Sequence, residues 1–305
     1  MIKKNETPKN LQTALDCAIR DYEKEKSGYI VKDGNNDCVY YNYMSNDAWK
    51  SYKEEMSDSH RQQFVNGNGG ELDEKKGRWG KYPPKMASFG SSSRMIYELS
   101  KDIPGFCFEK KLVTRVGGKA HLDGFIQKGS KYIYVEAKRR EVYYSSHEGE
   151  EIKEVYIPVY EKIRDICGEE KFKFDAQDAK DRKKKVTFYL NKTLVQYFDL
   201  KQLICHFLGI TYDLAKNNVK DAEVKFVYLI YNPDHAVEVN GKIEEKYREG
   251  IINRYKDVTK FINDNKAVIK KMFNAVLKYQ IEHQKLQKVN IKFEFKLVDQ
   301  KHYKV

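Results

Sequence analysis

Asp123-Gly124-Phe125-Ile126-Gln127-Lys128-Gly129-Ser130-Lys131-Tyr132-Ile133-Tyr134-Val135-Glu136-Ala137-Lys138 holds two strand-like runs joined by the turn Lys128-Gly129-Ser130. Runs of this kind read as neighbouring strands of a meander. In the second run Glu136 and Lys138 are two residues apart, so the strand period puts both side chains on one side and Val135 and Ala137 on the other. Asp123, in the first run, can bring a second carboxylate to the same place. Two carboxylates plus a substrate phosphate suit Mg²⁺, which takes oxygen ligands and keeps several waters. The chemistry that follows is metal-assisted phosphodiester cleavage, with the Lys138 ammonium favouring hydroxide and offsetting charge that builds on the phosphate.

Working outward, Phe106 to Val116 reads as a strand ending at Gly117-Gly118, and Ala120 to Gln127 as the next. Ahead of them, Ser91, Ser92 and Ser93 offer caps to a short helix whose Met95, Ile96 and Leu99 share a face, stopped by Pro104-Gly105. Beyond Lys138 comes a polar insertion, Arg140 to Lys185, with a helix expected near Val159 to Ile166. Val195 to Leu214 reads as a helix with an apolar stripe, and Val224 to Tyr231 as a buried central strand ended by Asn232-Pro233. A charged helical stretch from Ile243 to Lys288 with an internal break, and an alternating strand from Val289 to Val298, close the chain. On the other side, Leu11 to Lys26 reads as an amphipathic helix. Gly28 to Lys85 is rich in Asn, Asp, Gly, Ser and Tyr, with a long mobile loop expected around Gly67-Asn68-Gly69-Gly70 and closed by Pro83-Pro84.

This order defines an α/β chain: helix, three-strand meander, helix, strand. The expected organisation is an N-terminal helical and loop region over 1–85, a core over 86–235 carrying an insertion at 140–190, and a C-terminal helical extension with a final strand over 236–305. No internal repeat is visible.

Asp123 followed thirteen residues on by Glu136-Ala137-Lys138, on successive strands flanked by helices, resembles the PD-(D/E)XK nuclease superfamily. The resemblance covers about half the chain. It implies a restriction-endonuclease-like core with a mixed central sheet flanked by helices. It further implies a catalytic Mg²⁺, with Mn²⁺ as a substitute, held by Asp123, Glu136 and the backbone carbonyl of Ala137, and a water positioned or activated by Lys138. Leu122 stands where many members carry proline, a position that the chemistry does not use. The resemblance also adds Glu98, on the helix before the strands, as a further acidic group reaching the metal or its water. Gln202, on the following helix, matches a glutamine of members with exonuclease-like sites. Each has a plainer alternative: Glu98 as an exposed partner of Arg94, Gln202 as the wet edge of a helix. Glu109, on the first strand, could serve in place of Glu98, but reads first as a surface charge beside Lys110 and Lys111; His206 reads as structural, His121 as a phosphate contact or nothing, and the three serines as caps. Glu-x-Lys on a strand is by itself commonly a solvated pair.

Composition agrees with a polyanion as partner. Among 305 residues, 57 Lys and Arg face 45 Asp and Glu, a net charge of +12. Lys119, Arg139 and Arg140 beside the site, and Arg182-Lys183-Lys184-Lys185 further on, are the expected contacts to phosphates of double-stranded DNA. Base reading is expected from the segment between Tyr40 and Trp79 and from the insertion. Five scattered cysteines without a C-x-x-C pair indicate reduced thiols, and neither a signal sequence nor a membrane span is read, so a cytoplasmic protein is expected. No phosphate-loop or H-E-x-x-H motif is present. The expected activity is a Mg²⁺-dependent endodeoxyribonuclease of restriction type, a homodimer if both strands are cut. The alternatives are a structure- or end-specific repair or recombination nuclease, and a DNA-binding module with a decayed site.

Overall fold

The structure, a computed structural model, describes residues 43–44, 46–67, 70–77, 80–82, 84–144, 149–179, 183–234 and 245–305, together with Ala14, Leu15, Ala18, Ile19 and Ala236. In chain order the elements are α1 (Asn46–Glu55), α2 (Asp58–Asn66), β1 (Lys75–Gly77), β2 (Gly80–Tyr82), a 3-10 turn (Lys85–Ala87) and α3 (Ser92–Ser100). Then come β3 (Cys107–Val113), β4 (Lys119–Lys128), β5 (Lys131–Lys138), α4 (Glu141–Tyr144), β6 (Glu150–Lys153) and α5 (Ile157–Cys167). β7 (Phe172–Asp178), β8 (Lys183–Leu190), β9 (Thr193–Leu194), α6 (Leu200–Lys216) and β10 (Asp221–Ile230) follow. α7 (Glu245–Asp264), α8 (Lys266–Gln284) and β11 (Asn290–Asp299) end the chain.

The fold is α/β, with a mixed central sheet ordered β11-β10-β5-β4-β3 and helices packed against it. β3, β4 and β5 form an antiparallel meander; β10 then runs parallel to β5 and to β11. The composition of β10 explains its place: Val224 and Phe226 through Ile230 are all buried, as suits a strand covered on both faces. β11 alternates buried Phe293 and Phe295 with exposed Lys292, Glu294 and Lys296, and accordingly sits at the sheet edge. Phe273 of α8 stacks on Phe293 with ring centroids 3.8 Å apart, which ties the C-terminal helices to that edge. The break expected in the helical stretch falls at Asn265, whose side chain donates to Phe261 O and accepts from Asn191.

Several elements differ from the sequence reading. Where a polar loop region was expected, α1 and α2 occupy Asn46–Glu55 and Asp58–Asn66, and Lys75–Gly77 pairs with Gly80–Tyr82. The helices escape the periodic signal because α1 buries only Tyr52 and α2 only Phe64; the Ser57 hydroxyl caps α2 at His60 N. The insertion forms a second antiparallel sheet, ordered β6-β8-β7 with β9 on β8, packed on α5 through Tyr160, Phe174 and Phe188. The α6 helix starts at Leu200 instead of Val195, because Asp199 accepts from Gln202 N and caps it there. Of the expected N-terminal helix, Ala14, Leu15, Ala18 and Ile19 are helical and fully buried; its other residues lie outside those described. Among the described residues no helix is long and apolar enough to cross a membrane.

Candidate active site

The β4–β5 ladder runs from Lys128 with Lys131 to Gly124 with Val135 and stops. One residue on, the same register sets Asp123 beside Glu136. There a side chain takes over from the backbone: Asp123 Oδ2 accepts the N–H of Ala137 at 2.7 Å. The N–H and C=O of one strand residue point toward the same neighbour, so the Ala137 carbonyl also faces the gap that opens here. Gly124 permits the close packing behind Asp123, since a Cβ at that position would stand 2.3 Å from the Phe106 ring.

Glu109 extends the row on the other side. β3 pairs with β4 at Phe108 with Gly124 and at Lys110 with Leu122, which places Glu109 beside Asp123. Its backbone is left-handed, φ 54°, a conformation that costs a residue bearing a Cβ about 1–2 kcal/mol. Gly67 makes room for it, because a Cβ there would lie 2.8 Å from Glu109 Cβ. The Ser93 hydroxyl lies 3.4 Å from Glu109 Oε1.

From α6, two residues one turn apart reach the same place. Gln202 Oε1 accepts from Lys138 Nζ at 2.6 Å, and His206 Nε2 lies 3.0 Å from Glu136 Oε2. Lys138 Nζ stands 2.8 Å from the other oxygen, Glu136 Oε1. Asp123, Glu136, Lys138, Gln202 and Glu109 line one cavity of about 320 Å³.

Electrostatics divide the carboxyls. Burial works against the charge of Glu136, but Lys138 and then His206 outweigh it and hold the group at about 2. Burial likewise opposes the Lys138 charge, and contact with Glu136 overrides it, so this amine stays well above the ordinary lysine range. Asp123 goes the other way: burial, followed by the charges of Glu136 and Glu109, raises it well above the usual carboxylate range despite Lys138 and the Ala137 N–H. Glu109 is pushed up to about 7 by burial and by Glu71 and Glu136, against Lys85 and Ser93. Carboxyls crowded in this way are relieved by a cation.

The oxygens suit a divalent ion. Among the described residues Glu136 Oε2 is buried and has no aligned hydrogen bond, and the hydrogen bond of Asp123 is made through Oδ2. No three His, Cys, Asp or Glu side chains gather at ligand spacing among the described residues. Mg²⁺ does not need three, since one or two carboxylates, waters and substrate oxygens complete its shell.

The structure therefore brings Asp123, Glu136, Ala137, Lys138 and Gln202 together, and His121 and Arg140 line the same cavity. Glu98 does not belong there. It is exposed, pairs with Lys101 at 2.8 Å, and borders a separate cavity with His60 and Tyr97. The expected partner Arg94 is buried over the Phe89 ring instead. The N-terminal end of α3 presents Ser91, Ser92 and Ser93 to the cavity, and Glu109, not Glu98, lines it. Ser91 is a cap, accepting from Arg94 N at 3.1 Å.

The expected phosphate contacts separate likewise. Arg139 is only 3% exposed, with its guanidinium 5.1 Å from the centre of the Tyr231 ring, because strand alternation turns it away from Lys138. Lys119 is exposed but outside the cavity lining. Lys183 pairs with Glu151 at 3.0 Å, Lys184 with Asp178 and Glu154, and Lys185 is exposed on β8; Arg182 lies outside the described residues. Among the residues that the sequence reading did not assign to the site, Glu71, Lys85 and Glu141 also line the cavity. No local pattern marks them. Comparison of the chain with protein-family models, curated proteins and solved structures gives no match.

Proposed function

We propose that this chain is a Mg²⁺-dependent endodeoxyribonuclease acting on double-stranded DNA, of restriction type and restriction-endonuclease-like fold, working in the cytoplasm. One observation carries the reading: Asp123, Glu136 and Lys138, from adjacent strands, share a cavity with a splayed backbone at Ala137. The order helix, antiparallel meander, helix and a strand parallel to the third supports it.

Asp123, Glu136 and the Ala137 carbonyl are the groups to hold the ion. Bound there, Mg²⁺ or Mn²⁺ would draw charge from the scissile phosphate and acidify water. Lys138 gives one N–H to Gln202 and stands in ion-pair contact with Glu136, which leaves a donor for the attacking water or the phosphate. Gln202 is thus a positioning residue for Lys138, and His206 for Glu136. Glu109 adds a third carboxyl beside Asp123.

Cutting both strands requires two such sites, which a homodimer supplies. A second reading, a structure- or end-specific repair or recombination nuclease, is favoured by the contact between Gln202 and Lys138, because the resemblance associates a glutamine at this place with exonuclease-like sites. Digestion of a sequenced plasmid with Mg²⁺ separates the two. Discrete fragments support restriction, a smear or loss from ends supports the second reading, and no cleavage with Mg²⁺ or Mn²⁺ leaves a DNA-binding module with a decayed site.

A further inference from the structure

Lys85 and Glu71 precede the helix, meander, helix and strand of the core, yet both reach the cavity that holds Asp123 and Glu136. Glu71 is 3% exposed; its Oε1 lies 2.8 Å from Lys85 Nζ, and its Oε2 is buried without a hydrogen bond among the described residues. Burying a carboxylate against one partner gains little stability by itself. What it does gain is a fixed ammonium. The backbone holds the pair from below, with Lys85 N donating to Gly70 O and Met86 N to Glu71 O, and with Met86, Ala87 and Phe89 buried. Above this platform the Lys85 side chain is 56% exposed and lines the cavity.

Lys85 Nζ is held by Glu71, whereas Lys138 Nζ is held by Glu136 and Gln202, and both side chains line the same cavity. The two ammonium groups therefore serve different flanks of one cavity. We propose that Lys85, positioned by Glu71, binds a DNA phosphate on the Glu109 flank of the site. The inference rests on the nuclease reading and extends it: the segment before the core forms a wall of the active site.

Equilibrium binding of a short DNA duplex in metal-free buffer, measured over a range of salt concentrations, tests this without cleavage. Lys85→Ala should weaken binding roughly fivefold to tenfold and make the slope of log affinity against log salt shallower by about one, the signature of a lost phosphate contact. Lys85→Arg should retain the slope. With Mg²⁺, the Lys85→Ala and Glu71→Gln defects should appear mainly in KM. Mg²⁺ binding to Lys85→Ala, followed calorimetrically without DNA, should tighten, because a neighbouring cation is gone. A Lys85→Ala protein with the affinity and salt slope of the wild type overturns the inference while leaving a cutting wild type as a nuclease. A wild type that neither binds nor cuts DNA removes the nuclease reading and the inference together.

Discussion

Asp123 Oδ2 accepts the backbone N–H of Ala137 at the point where the β4–β5 ladder ends. The carboxylate thus has a structural and a proposed chemical duty on separate oxygens, and substitutions divide them. Asp123→Asn can keep the hydrogen bond through its amide oxygen but loses the charge. It should bind Mg²⁺ at least tenfold more weakly in calorimetry and stay within about 1 kcal/mol of wild-type stability. Asp123→Ala should lose both ion binding and about 1–2 kcal/mol in urea denaturation. Equal Mg²⁺ affinity in Asp123→Asn would count against the ion site.

Lys138 and Glu136 form a buried pair, 12% and 4% exposed at their side chains. Lys138→Met leaves the Glu136 carboxylate without its ammonium partner and still crowded by Asp123, at a cost of about 3 kcal/mol in metal-free protein. The double variant Glu136→Gln/Lys138→Met should recover much of that stability and none of the cleavage. Chemical denaturation in EDTA and plasmid nicking measure the two separately; a fully stable Lys138→Met would show that the pair does not exist.

Glu109 gives the metal-free protein a pH dependence. Its folded value, about 7, lies above the ordinary 4.5, so between those values the folded chain binds more protons than the unfolded one. The Glu109 contribution therefore falls as pH rises through that window, by on the order of 2–3 kcal/mol, and Glu109→Gln should remove this component. Urea midpoints in EDTA from pH 4.5 to 8 test it. Wild type and variant with parallel profiles would contradict the burial and crowding described at Glu109.

Glu98 lies in an exposed pair with Lys101, so Glu98→Gln should leave the cleavage rate within about twofold and stability within about 1 kcal/mol. A loss of a hundredfold or more would return Glu98 to the site.

The meander was legible because turn chemistry and the strand period are local: Lys131 to Lys138 was bounded as observed, and Glu136 and Lys138 share a side. Gln202 was legible through the resemblance, and its contact with Lys138 spans sixty-four positions. Glu109 was read first as a surface charge and only second as a stand-in for Glu98, because a left-handed backbone inside a strand breaks the alternation on which the reading relied. Glu98 failed for a related reason: the α3 helix turns its N-terminal end to the cavity, and helical periodicity does not say which end of a helix meets a site. α1 and α2 were hidden by polar composition, and Glu71 and Lys85 by the lack of any motif linking them to strands that come later in the chain.

The most direct measurement is cleavage of a supercoiled plasmid by wild type, Glu136→Ala and Lys138→Ala with Mg²⁺, alongside DNA binding by each. The account predicts cutting by the wild type alone, with DNA binding retained by both variants. Cleavage undiminished in either variant would contradict it.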